Sequence, residues 1–234
     1  MHIAFLDANT DRSAFAARHP TEVQKFRTLL GPRAAGWEFS DFTVNEGHFP
    51  DAVARFDGVM ISGSPASVND PDAWIARLKD TIRAAVAAEV PVFGACFGHQ
   101  AVASALGGVV GRNPQGWVLG RVESAPHSPA PWMDPLPAMA LHAAHNEQVT
   151  AAPPGARVLG GNADVPNGHL ALGKSVFTTQ YHPELDEGFM RDLLGEMQDK
   201  LAPDVHRKSL ETLGLSVDDT RMADWIAAFF RQAR

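Results

Sequence analysis

The stretch Pro91-Val92-Phe93-Gly94-Ala95-Cys96-Phe97-Gly98-His99-Gln100 decides how this chain is organised. It joins a short apolar segment to a helical pattern that continues to Leu106, with Cys96 at the junction. A strand that passes through a very tight turn into a helix is the setting of an exposed nucleophile. Small residues at 94, 95 and 98 permit the turn, and the positive end of the helix favours a thiolate. The stretch predicts a strand, a strained turn and a helix, with a reactive cysteine at the turn.

Cys96 is the only cysteine among the 234 residues. A lone cysteine in an apolar run is usually a small buried hydrophobe. Here Gly94 and Gly98 flank it where strand pattern changes to helix pattern, and simple core packing does not call for two glycines. We therefore interpret Cys96 as a catalytic nucleophile. A single cysteine also excludes an intrachain disulfide and any multi-cysteine metal site.

Upstream of Cys96, short apolar segments alternate with helical patterns. This alternation predicts a doubly wound, mostly parallel α/β sheet flanked by helices, with functional groups at the carboxyl ends of the strands. Cys96 and the loop Gly63-Ser64-Pro65 both follow such strands. Thr21 is the predicted N-cap of the first helix, and Gly31-Pro32 ends it. Strands are predicted over residues 2–7, 37–44 and 57–62, and helices over residues 21–30 and 72–89.

Downstream of Cys96 the chain becomes rich in glycine and proline between residues 107 and 173. We expect a β-rich antiparallel flank there, and a return to the main sheet at 175–181. A helix over 189–201, broken by Pro203, and a last helix over 222–230 follow. The predicted division is one domain at residues 1–190 and a C-terminal helical extension at 191–234 packed on it. Strands of the flank are predicted at 117–122, 148–151, 157–160 and 169–172.

The composition is that of a globular protein, 45% hydrophobic and 20% charged. The net charge of −7, without a basic stripe, disfavours nucleic-acid binding. No apolar run reaches the roughly 20 residues that span a bilayer, and the first residues lack the basic region of a signal peptide. We therefore expect a cytoplasmic protein without nucleic-acid or membrane partners, which acts on small molecules or other proteins.

The segment from Gly94 to Gln100 resembles the G-x-C-x-G-x-Q signature of class I glutamine amidotransferases. Tyr181-His182-Pro183-Glu184 resembles the His-Pro-Glu motif that these enzymes carry late in the chain. The resemblance covers residues 1–190 and points to the free-standing, GMP-synthase-like group. It implies a flavodoxin-like fold and a triad of Cys96, His182 and Glu184.

The resemblance also implies residues around the triad. Backbone N–H groups of Phe97 and Ser64 would form the oxyanion hole. Ser64 stands where the family's Gly-Gly-Pro turn has its second glycine. Gly63, Gln100 and His145 are the implied substrate contacts. After His145, Asn146 and Glu147 depart from the family's His-Gly-Asp pattern.

The implied reaction begins with attack of the Cys96 thiolate on the γ-carboxamide of glutamine. A γ-glutamyl thioester forms, and ammonia and then glutamate are released without a metal or an organic cofactor. The ammonia would pass to a separate synthetase or acceptor protein. One alternative is a self-contained γ-glutamyl peptidase or hydrolase that acts on small γ-glutamyl compounds. Another is a non-catalytic redox-sensing or binding module that uses Cys96. Retention of His182 and Glu184 favours an enzyme, because sensing needs neither.

Overall fold

The fold is a mixed sheet covered by helices on both faces, and the computed structural model describes residues 1–135 and 137–233. The strands are β1 His2–Asp7, β2 Glu38–Thr43, β3 Gly58–Ile61, β4 Val92–Ala95, β5 Val109–Arg112, β6 Val118–Pro126, β7 Met139–His145, β8 Glu147–Ala151, β9 Arg157–Gly161, β10 His169–Leu172 and β11 Val176–Thr179. The helices of more than one turn are α1 Glu22–Leu30, α2 Ala73–Ala87, α3 Phe97–Ala105, α4 Glu187–Met197, α5 Pro203–Thr212 and α6 Asp219–Gln232.

Nine of these strands form the main sheet, in the order β2-β1-β3-β4-β11-β10-β9-β6-β7. The first five strands in this order pair in parallel, which confirms the predicted doubly wound half. All residues of β3, β4 and β11 are buried, as expected for central strands with helices on both faces. The segments that follow these three strands therefore meet at one edge of the sheet.

The other strands form the expected antiparallel flank, in which β10 pairs with β11 and β9, and β6 with β9 and β7. Two strands of this region were not predicted, β5 and β7. Strand β7 has the sequence MALHAAH, in which alanine and histidine outnumber the β-branched and aromatic residues typical of strands. It is a strand because it pairs along its whole length with β6.

Helix α1 begins and ends where the sequence predicts. Thr21 and Gln24 form a reciprocal cap: the N–H of Gln24 donates to Thr21 Oγ1 (3.4 Å), and the N–H of Thr21 donates to Gln24 Oε1 (2.9 Å). Gly31 ends the helix at a φ of +47°, a conformation that glycine adopts without strain. Glu22, in the first turn of α1, accepts from Nδ2 of Asn9 (2.9 Å), so this turn lies beside the segment that follows β1.

The C-terminal region differs in one respect from the sequence expectation. Pro203 does end the preceding helical segment, but it also occupies the first turn of a further helix, α5, where its missing N–H is tolerated. Helix α6 buries Phe229 and Phe230 in the same core as Phe5 and Phe26. The division at residue 190, which falls inside α4, stays a prediction. None of the described helices combines the length and apolarity needed to cross a membrane.

Candidate active site

Cys96 occupies the strained turn between β4 and α3. Its backbone has φ +49° and ψ −104°, a conformation that is costly for a residue with a side chain. The Cys96 N–H donates to the carbonyl of Thr179 (2.9 Å), and its own carbonyl accepts the N–H of Gln100 (3.0 Å). The turn is therefore held by β11 on one side and by α3 on the other.

The two glycines around Cys96 serve a purpose that the sequence did not reveal. We expected them to permit a sharp turn with a strained residue at its tip, and that residue is Cys96. A Cβ on Gly98 would lie 2.5 Å from the carbonyl oxygen of Ile61, and one on Gly94 would lie 2.6 Å from the carbonyl of Gly98. These glycines allow the amino end of α3 to pack directly on the backbone of β3 and β4.

His182 and Glu184 follow β11 and lie beside Cys96. The His182 N–H donates to the carbonyl of His142 (2.8 Å), which aligns this segment with β7. Nδ1 of His182 lies 2.7 Å from Oε1 of the buried Glu184. Burial opposes a charged imidazole, but Cys96 and then Glu184 outweigh burial and raise the pKa of His182 well above its ordinary value. The surroundings thus favour the imidazolium form of His182.

The loop after β3 lies next to His182 and Cys96. A Cβ on Gly63 would lie 2.8 Å from Cε1 of His182 and 3.8 Å from Cβ of Cys96. The N–H of Ser64 has no acceptor among the described residues, while its hydroxyl accepts the N–H of Ala66 (3.2 Å). Phe97 is the first residue of α3, so its N–H has no carbonyl acceptor within the helix. The oxyanion hole at Ser64 and Phe97 stays a prediction with suitable donors.

Gln100 and His145 are buried, and neither is among the residues that line the cavity into which Cys96 opens. Gln100 Nε2 donates to the carbonyl of Glu147 (2.8 Å) and to Oε1 of Gln180 (3.3 Å). Nδ1 of His145 lies 3.0 Å from the same carbonyl. Burial, and next the charge of His182, lower the pKa of His145 to about 4, so its ring is neutral and Nδ1 donates. Direct contact of Gln100 and His145 with substrate stays a prediction.

Gln180 is a site residue that the sequence analysis missed. Its Nε2 lies 3.8 Å from Sγ of Cys96, and its Oε1 accepts from Gln100. The donor from Gln100 thus sets the amide so that its N–H group faces the sulfur. The available signal was the spacing, because Gln180 precedes His182 by two residues and alternate residues of an extended segment share a face.

Cys96 and His182 open into a cavity of about 210 Å³. The polar lining comes mainly from α1 and from the segment between β1 and α1. In it Lys25 Nζ lies 2.7 Å from Oε1 of Glu22, which also accepts from Nδ2 of Asn9 (2.9 Å). No group of the described side chains is suited to hold a metal ion. The apolar wall consists of Phe15, Trp117, Leu185, Phe189, Leu193 and Met197.

Known proteins resemble this chain in sequence and in fold. It is 28% identical over 191 residues to Gamma-glutamyl peptidase 4 of Arabidopsis thaliana, which covers 78% of this chain and 74% of that protein. It is 32% identical over 136 residues to a glutamine-hydrolyzing GMP synthase of Aeropyrum pernix, covering 58% of this chain and 25% of that protein. A glutamine amido transferase structure from Methylobacillus flagellatus has the same fold, with a TM-score of 0.74, 23% identity, and coverage of 99% of this chain and 94% of that chain.

A family model described as "Glutamine amidotransferase class-I" matches residues 36–193. The matched region is more than half of the chain and contains β3, β4, β11 and the segments that carry Cys96, His182 and Glu184. The chain therefore belongs to the class I glutamine amidotransferase family.

Proposed function

We propose that this protein hydrolyses γ-glutamyl amides with a triad of Cys96, His182 and Glu184. The observation that carries the proposal is the pairing of a strained cysteine at a helix N-terminus with a buried histidine that a carboxylate orients. Each part of a cysteine hydrolase is represented: a nucleophile, a proton carrier, its orienting group and nearby N–H donors.

In the first half of the reaction, Cys96 Sγ attacks the side-chain carbonyl carbon of the γ-glutamyl group. A C–S bond forms, and the carbonyl oxygen becomes an oxyanion that accepts hydrogen bonds from the N–H groups of Ser64 and Phe97. His182 gives its proton to the amide nitrogen as the C–N bond breaks, and Glu184 stabilises the imidazolium before that transfer. The products are a γ-glutamyl thioester and a free amine, which is ammonia when the substrate is glutamine.

In the second half, His182 is neutral and takes a proton from a water molecule that attacks the thioester carbon. The C–S bond breaks, glutamate leaves, and the Cys96 thiolate and the His182 imidazolium are restored. The proposal also includes contacts to the substrate from Gly63, Gln100 and His145.

The amine side of the substrate distinguishes two versions of this activity. Glutamine hydrolysis would supply ammonia to a separate synthetase, in keeping with the GMP synthase relatives. A self-contained γ-glutamyl peptidase is favoured by the apolar wall beside His182, which ammonia alone does not fill. The match to Gamma-glutamyl peptidase 4, which covers similar shares of both chains, supports the same version. The redox-sensor alternative leaves the buried pair of His182 and Glu184 without a purpose.

The test is glutamate release by the purified protein from L-glutamine and from γ-glutamyl dipeptides. We expect Cys96→Ala and His182→Ala to lower the rate by about 10³-fold or more, since members of such a unit act together. His127→Ala is the matched control, because His127 is exposed and lies outside the cavity. Release that survives in Cys96→Ala, or a complete lack of release by the parent protein, would refute the proposed activity.

A further inference from the structure

We infer that the apolar wall of the cavity is a subsite for an apolar, preferably aromatic, group on the amine side of a γ-glutamyl substrate. This inference rests on the proposed hydrolysis and names the substrate class that the site would select. Four residues of this wall, Leu185, Phe189, Leu193 and Met197, are called the α4 stripe below.

The members of the α4 stripe are spaced four residues apart: Phe189, Leu193 and Met197 lie on one face of the helix, and Leu185 lies just before its cap, Asp186. Met190 and Leu194 are fully buried in a hydrophobic cluster that also contains Leu185. Phe189, Leu193 and Met197 pack against this cluster but are only partly buried. The helix thus keeps an apolar face that is partly open and lines the cavity of the nucleophile.

The position of the stripe relative to the chemistry identifies the part of the substrate that would contact it. Asp186 caps α4 directly after the segment of His182 and Glu184, so the stripe begins on the histidine side of Cys96. His182 protonates the departing nitrogen in the proposed reaction, and the amine therefore leaves on that side. The oxyanion donor of Ser64 belongs to a different segment, the loop after β3.

The surroundings of the stripe favour an apolar rather than an anionic group. Lys25 reaches the same cavity, but its ammonium pairs with Glu22 (2.7 Å) and lies 4.3 Å from the ring centroid of Phe189. Two aromatic side chains complete the wall: Phe15, whose ring centroid lies 5.3 Å from that of Phe189, and Trp117, which is 38% exposed at the rim. An aromatic substituent would be enclosed by apolar side chains, while ammonia would leave the wall in water.

The experiment compares two dipeptides that differ only in one side chain, γ-glutamyl-phenylalanine and γ-glutamyl-glycine. We expect kcat/KM to be at least about tenfold higher for the phenylalanine compound, the scale of discrimination typical of an apolar pocket. Leu193→Ala should remove most of this preference, with a larger fall in kcat/KM for the phenylalanine compound than for γ-glutamyl-glycine. Met197→Ala is a second variant on the same stripe. Leu215→Ala is the control, because Leu215 is 56% exposed and lies outside the cavity.

Equal kcat/KM values for the two dipeptides, or equal losses with both in Leu193→Ala and Met197→Ala, would overturn the subsite while leaving the proposed hydrolysis in place. Absence of hydrolysis with both dipeptides and with glutamine would instead refute the proposed function. In that case the subsite is tested by calorimetry with the Cys96→Ala protein. We expect this protein to bind γ-glutamyl-phenylalanine more tightly than γ-glutamyl-glycine. Equal binding of both dipeptides would overturn it.

Discussion

The two sides of the cavity are built in different ways. On the side of Cys96, the functional groups are buried and held by backbone contacts, such as the bonds of Cys96 to Thr179 and Gln100. On the side of α4, the lining includes Phe189, Leu193 and Met197, which are partly buried side chains at the margin of a hydrophobic cluster. Catalysis therefore depends on the Cys96 side, where even a small change would disturb the geometry. Selectivity depends on the α4 side, where side-chain substitutions cost the fold little.

The same contrast appears in the glycines of the two sides. Gly63, Gly94 and Gly98 lie where an added Cβ would meet another atom within 3.0 Å. Gly195, on α4, has no atom within 4 Å of such a Cβ. We therefore expect even small substitutions on the Cys96 side to lower the rate of catalysis strongly.

The largest effect in this comparison is expected from Glu184→Gln. Because Glu184 raises the pKa of His182, its neutralisation should bring that pKa down. The His182 proton needed in the first half of the reaction is present below this pKa and is lost as pH rises through it. We expect kcat/KM to fall by about 10³-fold, and the alkaline limb of its pH profile to move to lower pH.

The exposed Glu187→Gln is the control for this change, since Glu187 pairs with Arg191 on the surface of α4. An alkaline limb that stays in place in Glu184→Gln would show that Glu184 does not set the charge of His182.

Gly63→Ala is expected to have the next largest effect. Its Cβ would lie 2.8 Å from Cε1 of His182, so the ring has to move away from the sulfur. A misplacement of about 1 Å in a reacting group lowers the rate about 10²-fold, and we expect kcat to fall by this order in Gly63→Ala. Activity should fall while the melting temperature changes little, and Gly195→Ala should leave activity at the parental level. Full activity in Gly63→Ala would mean that the ring has more freedom than its contacts indicate.

A smaller effect is expected from Gln180→Leu, which removes the N–H group that faces Cys96 Sγ. We expect kcat to fall about tenfold, with slower alkylation of Cys96 by iodoacetamide at neutral pH, because the thiolate loses a donor. Gln100→Leu should slow alkylation less, since it only releases the Gln180 amide. A Gln100→Leu variant with a raised KM and normal alkylation would instead indicate direct contact with substrate, as the family resemblance implies.

The sequence predicted the parallel half well because its signals are local. Central strands are short apolar runs, Thr21 and Gly31 punctuate α1, and Cys96 lies where strand pattern changes to helix pattern. It did not predict β7, whose alanines and histidines form a strand only through pairing with β6. It also gave no account of α5 beyond the break at Pro203.

Within the site, the motifs located Cys96, His182 and Glu184, since each belongs to a short pattern of residues. The contact between Gln180 and Cys96 and the opening of the α4 stripe toward the cavity depend on how separate segments meet. From the sequence alone, the helical spacing of Leu185, Phe189, Leu193 and Met197 indicates a helix face that is buried in the core. The structure shows that Met190 and Leu194 are fully buried, whereas Phe189, Leu193 and Met197 pack against the same cluster and stay partly open to the cavity.

The most direct test of the central claim is to trap the acyl-enzyme. The purified protein is mixed with γ-glutamyl-phenylalanine or glutamine, quenched in acid during turnover, digested and examined by mass spectrometry. The account predicts a mass increase of one γ-glutamyl group on the peptide that contains Cys96, absent from the Cys96→Ala protein. Glutamate release at the full rate with Cys96 unmodified in every quenched sample would contradict it.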